Sequence, residues 1–112
     1  MKYAHKVVRE ENEEYSYHGG MLGNTFSGRG HIKYKKPTIE NNTVEYDGEW
    51  HRGQMHGQGR QVLLEVGEYR GSFKLGLKDG VGTFEHVDHV AEEIYVGEFA
   101  KDRANGRGYL RW

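Results

Sequence analysis

An all-β fold of tandem hairpins, joined into one elongated antiparallel sheet, is predicted by three observations. A short glycine–aromatic pattern comes round four times with identical internal spacing. Within each copy the named residues alternate with period two, the period of a strand and not of a helix. Glycine is abundant (17 of 112 residues) against a single proline, with aromatic residues spread evenly at 12% of the chain. That is a poor composition for a thick aliphatic core, so the fold must be thin.

The first 14 residues precede the pattern. Tyr3, His5 and Val7 alternate there, as in an extra edge strand capping the array, and the charged stretch Arg9 to Glu14 links it onward. Residues 15–112 hold the four copies, beginning near Tyr17, Tyr46, Tyr69 and Tyr95. Each reads Tyr-x-Gly-x-aromatic, six residues, then Gly-x-Gly, and the starts are 29, 23 and 26 residues apart. All the length variation falls after the Gly-x-Gly. A fixed unit with variable connectors is a repeat protein.

In each copy the outgoing strand places its Tyr, Gly and aromatic on one face: Tyr46, Gly48 and Trp50, or Tyr69, Gly71 and Phe73, or Tyr95, Gly97 and Phe99. Copy one departs, with Tyr17 and Gly19 followed by Met21 in the aromatic place. Gly53 and Gly76 come next in copies two and three, with Asn24 and Asp102 at the same position elsewhere. Those residue types tolerate positive φ, so the position reads as a tight turn. The return strand then carries the glycine pairs Gly28 and Gly30, Gly57 and Gly59, Gly80 and Gly82, Gly106 and Gly108. Read as strand residues, both members of a pair share a face, leaving a bare trough that the rings of neighbouring strands cover. The next position on that face is Ile32, Phe84 or Leu110, with Gln61 as the polar exception. A single hairpin is marginal alone. Four stacked hairpins give about eight strands and a sheet roughly 40 Å long.

Several functional classes are disfavoured. The formal net charge is −1 and neither half of the chain is strongly basic, so no nucleic-acid footprint is expected. With no cysteine there is neither a disulfide framework nor a thiolate metal site. The N-terminal stretch lacks the apolar run of a leader, no segment has the length of a membrane span, and a cytosolic location is the expectation. The glycine pairs lack the third glycine and the helix of a dinucleotide loop. His86, Asp88, His89, Glu92 and Glu93 form the densest group of potential ligands, but without the spacing of a zinc helix, and an exposed polar connection is expected there. His56, where other copies have Ser27, Asp79 and Asn105, is read as turn support and not as a catalytic base. No cofactor and no metal are expected.

The stretch from Tyr46 to Gly59, "YDGEWHRGQMHGQG", resembles the MORN repeat, and the resemblance covers Tyr17 to Trp112. It implies a single, twisted, trough-shaped sheet. Members include radial-spoke components of cilia, basal cytoskeletal proteins of parasitic protists and junctional membrane tethers. Others are regulatory regions attached to lipid kinases or a lysine methyltransferase, whose catalytic domains lie outside the repeats. A chain of this length is expected to have no room for such a domain.

The expected function is therefore a non-enzymatic scaffold that docks a partner protein's helical or extended segment along an aromatic trough. Its lining would be Tyr17, Tyr46, Trp50, Tyr69, Phe73, Tyr95 and Phe99. A cytoskeletal or ciliary assembly follows by analogy with the family. The alternative is a peripheral tether to anionic lipid through Lys33, Lys35 and Lys36. End-to-end self-association through an open edge strand is a further expectation.

Overall fold

A computed structural model describes residues 5–87 and 92–111. These form nine strands: β1 (His5–Glu11), β2 (Tyr15–Leu22), β3 (Thr25–Tyr34), β4 (Thr43–His51), β5 (Gln54–Leu63), β6 (Gly67–Lys74), β7 (Leu77–Val87), β8 (Glu92–Ala100) and β9 (Arg103–Arg111). Their order in space is their order in sequence, every neighbouring pair is antiparallel, and they make one sheet. The molecule measures 49 × 29 × 19 Å. The all-β, tandem-hairpin expectation holds, with one strand more than the repeats supply.

That extra strand is β1, paired along its length with β2. Val8, not Val7, packs against the core, while Val7 stays 77% exposed. Tyr3 lies outside the described residues. The link to the repeats is shorter than the charged stretch suggested, because Arg9 to Glu11 belong to β1. Asn12 closes the turn, its Oδ1 accepting the backbone N–H groups of Glu14 and Tyr15 at 2.8 and 2.9 Å.

Each hairpin closes with a two-residue turn. Arg52 and Gly53, Leu75 and Gly76, and Lys101 and Asp102 all have positive φ, from 50 to 82°. Two successive positive φ values mark the turn whose twist matches the strands. In the first hairpin the positive φ falls on Gly23, at 61°, and not on Asn24 as the aligned position suggested. The glycine there takes over the left-handed conformation at no steric cost. Successive turns are tied together: the N–H groups of Gly53, Gly76 and Asp102 donate to the carbonyls of Phe26, Met55 and Lys78 at 2.9–3.0 Å.

One register feature organises everything else. In every hairpin two residues of the outgoing strand face four of the return strand. Gly48 pairs with Gly59 while Trp50 pairs with Met55, and the same shift separates Gly19 from Met21, Gly71 from Phe73 and Gly97 from Phe99. The result is a continuous cross-strand row of glycines, running Gly19, Gly30, Gly48, Gly59, Gly71, Gly82, Gly97 and Gly108 from β2 to β9.

Candidate partner-binding face

Over that glycine row lies a chain of rings. Tyr17 meets Trp50 at 5.8 Å between centroids, Trp50 meets Tyr46 at 5.1 Å, and Tyr46 meets Phe73 at 5.2 Å. Phe73 then meets Tyr69 at 5.1 Å, Tyr69 meets Phe99 at 5.0 Å, and Phe99 meets Tyr95 at 5.2 Å. Interplanar angles of 79–88° make every contact edge-to-face, the geometry the ring quadrupole favours. Each Tyr thus touches the aromatic of its own repeat or the next, and the repeats interlock. In copy one, where Met21 replaces the aromatic, Phe26 stacks on Tyr17 at 3.8 Å and fills the space.

The seven anticipated trough residues are therefore packed by the chain itself. Tyr46 and Tyr69 are 0% exposed and Tyr17, Trp50, Phe73 and Phe99 at most 7%, with Tyr95 half-buried. Their surface is largely taken up by one another and by the glycines beneath. What stays partly open beside them is a rim of Phe26, Tyr34, Met55 and Phe84, of which period-two reading placed only Phe84 on this face. Phe26 and Met55 follow the turn by two residues, a position visible in sequence only once the register shift is known.

The four repeat tyrosines use their hydroxyls alike. Tyr17, Tyr46, Tyr69 and Tyr95 donate to the carbonyls of Gly20, Glu49, Ser72 and Glu98, each three residues on, at 2.7–3.2 Å. Those carbonyls sit where the register shifts, so the hydroxyl supplies a partner for a group in the irregular stretch of the ladder. Trp50 also ties repeat to repeat, its Nε1 donating to the Gly30 carbonyl at 3.0 Å. Burial pushes the Tyr17 and Tyr69 hydroxyls up to about 12 and raises Tyr46 further.

The two glycines of each pair prove to have different jobs, correcting the shared-trough expectation. Side chains on Gly30, Gly59, Gly82 and Gly108 would collide with the rings of Tyr17, Tyr46, Tyr69 and Tyr95. Gly28, Gly57, Gly80 and Gly106 instead have φ of 72–101° and lie at the register shift. A side chain on Gly57 or Gly106 would point at Glu49 or Glu98, on the opposite face from the rings. Those carboxylates each accept the N–H of the following residue, Gln58 or Arg107.

Beyond the glycine pairs, the same-face positions differ in depth. Ile32 is buried, Phe84 half-buried, and Leu110 is 47% exposed, because among the described strands β9 has a neighbour on one side only. Gln61 is buried despite its amide, whose Nε2 donates to Thr43 Oγ1 at 2.9 Å. Lys78 occupies the position of Phe26 and Met55. Its Nζ lies 5.8 and 5.7 Å from the Tyr69 and Phe84 rings and 3.3 Å from Asp102 Oδ1.

The opposite face is charged over its first half. His31 Nε2 lies 2.7 Å from Glu45 Oε2, Arg60 bridges Glu45 and Glu68, and Arg70 reaches Glu68 at 3.1 Å, linking four strands. The His31 hydrogen bond, with Arg60 in support, holds the Glu45 carboxyl below its usual range.

The three lysines of the lipid alternative do not converge. Lys33 stands exposed on β3 in the row of Ser16 and Glu45, Lys35 is held by Glu11 at 3.1 Å, and Lys36 is exposed beside Pro37. His86 pairs in register with Glu93, whereas Asp88 and His89 lie outside the described residues. Among the described residues no group of three or more His, Asp or Glu is placed to hold a metal ion. The His56 ring lies 5.3 Å from that of His51.

Comparison with known proteins points the same way as this geometry. The family model for the MORN repeat matches residues 46–62, 69–89 and 95–112. It leaves the first hairpin unmatched, although β2 and β3 share the glycine register and the Tyr17 arrangement of the others. The chain is similar to Alsin of Homo sapiens and of Pan troglodytes, 34% identical over 77 residues in each, and to Alsin of Mus musculus at 32% over the same length. The match takes in 67% of this chain, which spans about 4% of the length of those relatives.

Proposed function

Since the chain belongs to the MORN-repeat family, we propose that it is a non-enzymatic scaffold that holds a helical or extended segment of a partner protein against the ring-bearing face. One observation carries the reading: a single-layer sheet keeps an apolar rim of Tyr34, Met55 and Phe84 beside a floor of interlocked rings. The floor is already packed, so it is rigid before any partner arrives, and a pre-formed surface costs little ordering on binding. An elongated apolar strip suits an amphipathic helix or an added strand. The strongly perturbed hydroxyls, Tyr17, Tyr46 and Tyr69, are bound to backbone carbonyls and so are structural. A place in a cytoskeletal or ciliary assembly rests on family likeness alone.

The contact residues to alter are those of the rim, because Trp50 and Phe73 are core and their loss would unfold the repeats. Phe84→Glu keeps a partner for the nearby Lys78 ammonium. Quantitative affinity capture should lose its protein partner with this variant while the far-ultraviolet spectrum stays β. A Lys33→Ser, Lys36→Ser variant should keep it. Retention of the partner by folded Phe84→Glu would defeat the reading. Binding to anionic vesicles that falls with salt and with the lysine changes would replace it by the lipid tether.

A further inference from the structure

The face opposite the rings changes character along the sheet. The cross-strand row that carries His31, Asp47, Arg60 and Arg70 on β3 to β6 continues as Thr83, Val96 and Tyr109 on β7 to β9. The row of Lys33, Glu45, Val62 and Glu68 passes through Glu85 to Ile94 and Arg111. The central row thus loses its charges, and Val81, Thr83, Ile94, Val96 and Tyr109 stand together with Glu85, Glu98 and Arg111 around them, Val81 64% and Tyr109 60% exposed. Nothing in the fold needs these side chains to be apolar, since the interlocked rings lie on the other face. β-branched residues on one sheet face are the surface that sheet-on-sheet packing uses.

We propose that this patch joins two copies of the chain face to face about a two-fold axis running parallel to β8. Charge complementarity singles out a second copy as the occupant. Such an axis lays β7 of one copy over β9 of the other and keeps each cross-strand row opposite itself. Val96 and Ile94 then meet their own counterparts, Thr83 meets Tyr109 of the second copy, and Glu85 meets Arg111 of the second copy, twice over. Like charges also meet on the axis, at the Glu98 positions and at the Glu92 positions toward the start of β8, and each Glu98 already accepts the Arg107 N–H within its own copy. A patch three strands wide is at the small end of stable interfaces, so the dimer is weak. It leaves the ring-bearing face free and does not depend on the proposed partner docking.

Sedimentation velocity of the chain from about 10 µM to about 500 µM tests this. The weight-average mass should climb from one chain toward two as concentration rises. Val96→Lys, which sets two ammonium groups against each other on the axis, should hold the protein monomeric with an unchanged far-ultraviolet spectrum. Arg111→Glu should weaken association at least tenfold, and adding Glu85→Arg should restore it, a readout independent of how well Val96→Lys folds. A chain monomeric across the whole range overturns the proposal. So does a dimer indifferent to Val96→Lys and to the charge exchange, as pairing through strand edges would be.

Discussion

The Tyr46 ring lies so closely over Gly59 that a methyl group at Gly59 would fall on its hydroxyl oxygen and on ring carbon Cε1. Four strands away Tyr95 covers Gly108 in the same way, so the pairing is the repeat's unit of packing. It explains how a chain with few aliphatic residues closes a core: backbone without side chains makes room for rings, and the rings supply the buried apolar surface.

Gly59→Ala should therefore lower stability by about 2–3 kcal/mol, because the ring must move and its neighbours Trp50 and Phe73 with it. Gly28→Ala meets open space and suffers only its φ of 76°, a cost of roughly 1–2 kcal/mol. Gly28→Asn should recover part of that, since Asn tolerates the left-handed region. Urea melts of the three variants would separate the causes, and equal costs for the two alanines would contradict the assignment.

Tyr46→Phe keeps the ring and removes only the hydroxyl that donates to Glu49 O at 2.7 Å. A part-buried carbonyl then loses its partner, which costs about 1–2 kcal/mol. The same change at Tyr95, whose bond is 3.2 Å long and exposed, should cost less. Thermal midpoints of the two variants make the comparison, and the order Tyr46 before Tyr95 is the point at issue.

Alkaline titration should unfold the protein between about pH 10 and 12. Burial raises Tyr17 and Tyr69 to about 12 in the folded state, whereas the unfolded chain ionises near the ordinary value of 10.0. Above pH 10 the unfolded state binds fewer protons than the folded one, so stability falls as pH rises. Tyrosinate absorbance and circular dichroism should then change together. Ionisation of the core tyrosines with the β spectrum intact would show them more accessible than their packing indicates.

On the acid side Glu45 acts in the opposite sense. Its carboxyl is held below the usual range, first by His31 at 2.7 Å, so its contribution is present above the unfolded carboxylate value and is lost as pH falls through its folded one. Glu45→Gln should flatten the decline in urea midpoint between about pH 5 and 3. The difference should stay below about 1 kcal/mol, because the pair is partly solvated. A variant declining as steeply as the parent would assign the acid sensitivity elsewhere.

Much of this was legible in the sequence. The fixed spacing from Tyr46 to Gly57 and Gly59, repeated from Tyr69 and Tyr95, determined the hairpins, because strand periodicity and turn chemistry are local properties. The occurrence of an aromatic opposite a glycine was equally visible. Val8 in place of Val7 as the inward residue of β1 was not, since alternation alone does not say which set faces the core. The positive φ on Gly23 and the stacking of Phe26 on Tyr17 were likewise decided by which residues the first turn brings opposite each other.

What the sequence determined by itself is the repeat, the all-β class and the dependence of rings on glycine. Only the tertiary structure decided how the glycines divide their work, that the rings are core, and that the central row of the far face is charged over β3 to β6 but uncharged over β7 to β9. All three depend on cross-strand register. That register is set by four return-strand residues facing two outgoing ones in every hairpin, a mismatch that no residue type announces.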